Sequence, residues 1–170
     1  MNGDELRAIQ APLKERYRGD DKAGLVTLKA SGALDSEGIA CKVETGRALA
    51  LAGLHPATGG SGAELCSGDM LLEALVACAG VTMKAVATSL GIALRSGKVA
   101  AEGDLDFRGT LGVDKQAPVG FSDIRLKFEL DTDAPQEQLD TLLKLTERYC
   151  VVLQTLRIPP KLEAILSQMN

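Results

Sequence analysis

Residues 67–91, SGDMLLEALVACAGVTMKAVATSLG, decide how this chain folds. The stretch reads as one long helix. Ser67 and Asp69 are placed to cap its first turn, because each side-chain oxygen can accept from an N–H group with no partner inside the helix. Gly91 can close the far end in a left-handed conformation. Between these ends only Glu73 and Lys84 are charged. They lie eleven residues apart, about three turns, and so share one narrow stripe. The remaining circumference is apolar or small, which predicts a helix buried on nearly every side. Cys78 stands at its middle among Ala77, Ala79 and Gly80, a setting that leaves room for a molecule to approach the sulfur. An inert core cysteine is the competing reading, since free cysteine is among the most buried residue types. A membrane span is the other. Only ten uncharged residues separate Glu73 from Lys84, half of the roughly 20 that a span needs, so a core helix is expected.

The whole chain has 170 residues, suited to one domain or one compact two-layer unit. Apolar residues make up 45 % and aromatic residues 3 %, with no Trp, so the core must be aliphatic. A net charge of −4, with neither a basic patch nor stacking aromatics, argues against a nucleic-acid groove. The same charge disfavours an anionic membrane surface. The N-terminal MNGDELRAIQ lacks the apolar core of a secretory signal, which points to the cytoplasm. Cys41, Cys66, Cys78 and Cys150 would then be thiols. None forms a C-x-x-C pair and His55 is the single histidine, so a zinc site is not expected.

Before the central helix, residues 4–18 carry Leu6, Ile9, Leu13 and Tyr17 at helical spacing, with Pro12 placed to divide the segment into two short helices. Alternation from Leu25 predicts a strand. A turn at 35–38 and a second strand over 39–44 would complete a hairpin, and 47–54 is a possible third strand. Residues 55–68, HPATGGSGAELCSG, read as a flexible loop. Their glycines lack the Lys and Ser/Thr of a phosphate cradle. His55 could serve as a base, but a histidine before a proline is more often a turn residue.

Beyond Gly91, Lys98, Ala100 and Glu102 alternate with Val99, Ala101 and Gly103. Leu105, Phe107 and Gly109 extend that strand. Residues 121–131, FSDIRLKFELD, place Ile124, Leu126, Phe128 and Leu130 on one face and charges on the other, a half-buried antiparallel strand. A further helix follows, with Asp133 as its cap, Pro135 in its first turn and a core face of Leu139, Leu142, Leu143 and Leu145. Cys150 closes it. The tail after Pro159-Pro160 fits either a strand or a short helix. Strand runs separated by buried helices predict an α+β fold. Two helices packed on each other could bring Cys78 and Cys150 together, but a disulfide needs Cα atoms about 4.4–6.8 Å apart, which spacing alone does not give.

Two segments, SGDMLLEALVACAGVTMKAVATSLGI and TERYCVVLQTL, resemble the osmotically inducible protein C and organic hydroperoxide resistance family, in its OsmC-like branch. The first resembles the family's central helix and aligns its reactive cysteine with Cys78. The second aligns the family's other cysteine with Cys150. The likeness covers roughly residues 25–160, and leaves residues 1–20 as an N-terminal helical extension to a domain spanning 21–170. It implies an intertwined homodimer with antiparallel sheets around long central helices. It also implies thiol-dependent reduction of organic hydroperoxides, in oxidative-stress defence, by a Cys78/Cys150 pair. An external dithiol would restore the thiols, and no metal or organic cofactor is required. Family members hold an arginine in the N-terminal hairpin to stabilise the thiolate. ALDSEGIA has none, which leaves Arg47 as the first candidate and Arg16 or Arg18 as others. Asp69 stands where the family has a glutamate and would orient that arginine. Cys66 is an alternative partner for Cys78. Two further readings are a small-molecule binding protein of the same fold without turnover, and a stress-related dimer with inert cysteines.

Overall fold

The computed structural model describes residues 3–34, 41–43, 52–63, 65–166 and 168. Helix α1 (Gly3–Gly19) leads into strand β1 (Leu25–Leu34), short strands β2 (Cys41–Val43), β3 (Ala52–Gly53) and β4 (Leu65–Cys66), and the long helix α2 (Ser67–Leu90). Strand β5 (Ser96–Asp106), the short helix α3 (Phe107–Thr110), strand β6 (Phe121–Asp131) and helices α4 (Gln136–Tyr149) and α5 (Val151–Arg157) follow. One antiparallel sheet has the order β2-β1-β5-β6; β3 and β4 pair separately and in parallel. This is the predicted α+β fold, a sheet with a long helix laid across it.

Side-chain alternation builds the inner face of the sheet. Val99, Ala101 and Gly103 of β5 sit opposite Phe128, Leu126 and Ile124 of β6, so the apolar residues of both strands share one side. Helix α2 lies on that side and buries Leu72, Leu75, Val76, Ala79, Met83 and Ala87, a single stripe at three- and four-residue spacing. The expectation of a helix buried all round is therefore not met within one chain. The sheet and helices α4 and α5 cover part of the circumference, while Leu71 and Val81 stay 37 % and 38 % exposed. α2 is long and apolar enough to cross a membrane, but here it is the helix against which the sheet packs.

Several local expectations are corrected. Pro12 does not divide α1, which continues through it. Pro12 and Ala8 are both exposed, so solvent can satisfy the Ala8 carbonyl that the missing N–H leaves free. Cys66 occupies the cap position of α2, without a side-chain cap bond. Strand β4 keeps the backbone extended up to Cys66, so Ser67 becomes the first helical residue and Asp69 falls within the first turn. Gly91 does close the helix, with φ 68°, as the Ile92 N–H donates to the Ala87 carbonyl at 2.9 Å. β5 stops at Asp106, whose carboxylate accepts from the Arg108 N–H at 3.0 Å and turns the chain into α3, so Phe107 and Gly109 do not extend the strand. Pro135, not Asp133, precedes α4, and Asp133 pairs with Arg95. Leu142 is buried on α4, whereas Leu143 is 43 % exposed. The hairpin pairing of β2 with β1 is as expected. The predicted turn at 35–38 and most of the possible strand at 47–54 lie outside the described residues.

Candidate active site

Helices α4 and α5 are one helical run broken at a single residue. Cys150 is the last cap of α4 and the first cap of α5, with an extended backbone at φ −71° and ψ 106°. Its N–H donates to the Thr146 carbonyl at 2.9 Å, and its carbonyl accepts from Gln154 N–H at 2.9 Å, so the break costs no backbone partner. The kink turns the sulfur inward, where Cys150 is fully buried. Both α4 and α5 pack on α2, and this brings Cys150 to Cys78. Cys78 lies near enough to Cys150 to act on its thiol, although 72 residues separate them in sequence. Both are free thiols, and Cys78 is only half-buried.

Burial pushes the Cys150 thiol up to about 11, because a thiolate there would lose its water. Backbone donors at Leu153 and Val152 oppose this, and the neighbouring Cys78 adds to it. Cys150 therefore stays protonated at neutral pH. Cys78 lies on the more accessible side. The pair belongs to a mainly aliphatic core cluster that also holds Leu75, Val76 and Ala79 of α2 and Val152, Leu153 and Leu156 of α5.

Cys66 does not share this arrangement. It caps α2 twelve residues before Cys78, and a rise of 1.5 Å per residue sets the two about 18 Å apart along the helix. A disulfide spans no more than about 7 Å between Cα atoms, so Cys66 cannot pair with Cys78 of the same chain while α2 is intact. The side chain of Cys41 and all of Arg47 lie outside the described residues. Arg16 and Arg18 are engaged on α1: Arg16 donates to the Tyr17 hydroxyl at 3.1 Å and lies 5.0 Å over its ring, and Arg18 pairs with Glu15.

Asp69 is nine residues before Cys78, about 14 Å along α2 and half a turn round it, so it does not reach the sulfur of its own chain. Its neighbours are His55 and Glu73. Burial raises the Asp69 carboxyl above its ordinary range, with the His55 charge acting against that shift. Glu73, one turn on, is raised by burial and then by Asp69. His55 is lowered by burial, with Asp69 pulling the other way. The imidazole stacks on Phe107 at 4.7 Å and 16°, and Nδ1 accepts from the Ala57 N–H at 3.0 Å, which assigns the proton of the neutral ring to Nε2. The predicted flexible loop is thus a held segment. Helix α1 holds it: the Tyr17 hydroxyl donates to the Ala57 carbonyl at 2.6 Å, and Gln10 donates to the Thr58 carbonyl at 3.2 Å. Gly59, at φ 93°, lets Ile9 approach where a Cβ would stand. Nothing in the local sequence around His55 signals its stack on Phe107, which is 52 residues away.

The OsmC-like protein family matches residues 60–164, more than half of the chain and a stretch holding Cys66, Cys78 and Cys150. The chain belongs to that family. Its fold is similar to the crystal structure of an OsmC-like hydroperoxide resistance protein from Jannaschia sp. CCS1. The TM-score is 0.62 and the identity 14 %, over 85 % of this chain and 95 % of that one. No curated protein matches significantly. Within this OsmC-like chain the family segment supplies both contacting cysteines, while α1 and β1 lie outside it.

Proposed function

We propose that this OsmC-like protein is a thiol-dependent hydroperoxide reductase in which Cys78 attacks and Cys150 resolves. One observation carries the reading: two free thiols from distant parts of the sequence meet, one accessible and one buried. The Cys78 thiolate attacks the terminal oxygen of R–O–OH. The O–O bond breaks, the sulfur takes one oxygen as the sulfenate, and R–OH leaves with the proton. The Cys150 thiol then condenses with the Cys78 sulfenic acid, forming the disulfide and releasing water. An external dithiol reduces that disulfide to two thiols and is itself oxidised. The aliphatic surroundings of the pair favour organic hydroperoxides, and the hydroperoxide resistance of the structural neighbour points the same way.

The acting form is a homodimer, because the exposed Leu71 and Val81 side of α2 is an apolar surface that a second chain would cover. A sulfur on an apolar helix needs an opposing positive charge to act as a thiolate, and Arg47 is the proposed source. Asp69 can orient that arginine only toward a neighbouring chain's Cys78. The direct test is thiol counting by mass spectrometry before and after one equivalent of cumene hydroperoxide. Loss of two thiols with a Cys78–Cys150 disulfide is expected. An unchanged thiol count would leave a non-catalytic binding protein of the same fold.

A further inference from the structure

The break between α4 and α5 disturbs more than the backbone bonds of Cys150 itself. In an unbroken helix the Val151 N–H would donate to the Glu147 carbonyl. The extended backbone at Cys150 ends that pairing and leaves the carbonyl at an open helix end. A side chain takes the vacant place. Gln154, four residues past the break, donates from Nε2 to the Glu147 carbonyl at 2.7 Å. Its own backbone N–H donates to the Cys150 carbonyl at 2.9 Å, so one residue is tied to both sides of the kink. The Glu147 carboxylate accepts from Arg157, the last residue of α5, at 3.0 and 3.4 Å. Glu147 is thus held twice, by its carbonyl and by its carboxylate, from two positions on α5.

Packing alone does not fix α5. The helix has seven residues and none of them is buried. So short a helix is unstable on its own bonds. Its Leu153 and Leu156 line an open groove of about 670 Å³ between β6, α4 and α5, with Glu147 and Arg157 at the wall. A helix with open space against its apolar side can shift without overlapping a close-packed neighbour. The bonds to Glu147 oppose that shift. Cys150 caps the start of α5, and backbone donors at Val152 and Leu153 act on its sulfur, so displacing α5 displaces the thiol's surroundings with it. Position matters in the second half of the proposed cycle. The Cys150 sulfur must meet the Cys78 sulfenic acid and form an S–S bond of about 2.05 Å as water leaves. A misplacement of about 1 Å can slow such a step about a hundredfold.

We propose that Gln154, supported by the Glu147–Arg157 pair, is a positioning residue that sets the rate at which Cys150 resolves the Cys78 sulfenic acid. The inference rests on the reductase reading above and assigns the part of the chain that governs its second step. The two ties are unequal. The Gln154 bond is partly buried and fills a carbonyl that the kink leaves open. The Arg157 and Glu147 side chains are 49 % and 40 % exposed, so water screens their attraction.

The test separates the two steps by trapping. The reduced full chain is mixed with one equivalent of cumene hydroperoxide and quenched at intervals in dimedone, which tags sulfenic acid. Peptide mass spectrometry counts the Cys78 adduct and the Cys78–Cys150 disulfide. Gln154→Met removes the donor and keeps the length of the side chain. It should prolong the Cys78 sulfenic acid about tenfold and leave the rate of its formation unchanged. Arg157→Ala should prolong it about two- to fivefold. Gln154→Lys, which restores a donor, should recover most of the loss. A lifetime in Gln154→Met within twofold of the unsubstituted chain's would overturn the proposal, and so would equal slowing of both steps, the mark of general disruption. Should Gln154→Met fail to fold, Arg157→Ala carries the comparison, and an unchanged lifetime there overturns the proposal. An unsubstituted chain that forms neither sulfenic acid nor disulfide would remove the reductase reading itself. A disulfide that forms equally fast in all variants would remove only the positioning role.

Discussion

Cys150 should be the slowest of the described thiols to alkylate, and its pH profile tests the physical basis of the site. Burial and Cys78 together hold its thiol at about 11, against an ordinary 9.0. Alkylation follows the thiolate fraction. Two pH units of displacement reduce that fraction at pH 7 about a hundredfold, to about one molecule in ten thousand. Iodoacetamide labelling followed by peptide mass spectrometry between pH 6 and 11 reads this directly, with Cys66 as the internal comparison. Cys78→Ala separates the causes. Loss of the neighbouring sulfur should bring the Cys150 midpoint down, yet leave it above 9, because desolvation is the largest contribution and survives the substitution. A Cys150 that labels at pH 7 as fast as Cys66 would refute the burial of the sulfur. A midpoint at 9 in the Cys78→Ala protein would refute desolvation as the leading cause.

Three further outcomes follow from the same geometry. Cys150→Ser should leave peroxide able to oxidise Cys78 once, and then carry it to sulfinic acid, a gain of two oxygens visible by intact mass; Cys66→Ser should leave turnover unchanged. Tyr17→Phe removes the 2.6 Å bond to the Ala57 carbonyl from a fully buried side chain, and should cost about 1–3 kcal/mol, read as a lower urea midpoint at unchanged slope. His55 has its folded pKa below the unfolded 6.5, so the unfolded chain binds the proton more readily and stability falls as pH drops below about 6.5. Relative to the unsubstituted chain, His55→Gln should shift Tm upward at pH 5.5 compared with 7.5, because the raised Asp69 and Glu73 carboxyls, which act in the opposite sense, remain in both proteins.

Much of the fold was legible because its elements obey a period. The alternation in 121–131 and 96–106 exposes both strands, and their pairing in register follows from matching apolar faces. The 67–91 helix is equally plain, down to its left-handed Gly91. What failed was local and depended on neighbours. Asp133 is a reasonable helix cap by sequence, but Arg95, 38 residues away, claims its carboxylate. Ser67 could cap α2 only if the chain left the extended state after it, and β4 ends that state one residue earlier. The 55–62 segment looks loose because Gly, Ser and Thr dominate it, and the residues that hold it, Tyr17 and Gln10, lie some 40 positions upstream on α1.

The site was legible in a different way. Cys78 and Cys150 are each marked by an apolar helical context, but their contact depends on a break of one residue between α4 and α5, which no periodicity announces. Other parts of the site could have been settled from the helix reading itself. Once 67–90 is a helix, Cys66 and Cys78 are about 18 Å apart and cannot pair within a chain. Asp69 must also face away from Cys78. Any role for Asp69 at a sulfur then belongs to a neighbouring chain's sulfur. The open Leu71–Val81 surface lies on the Cys78 side of α2, whereas Asp69 and Glu73, one turn apart, lie on the other side of the helix, with Asp69 beside His55. If a neighbouring chain supplies the charge that activates Cys78, as proposed, a monomeric variant that keeps its Cys78–Cys150 contact should be slow toward peroxide while its disulfide still forms.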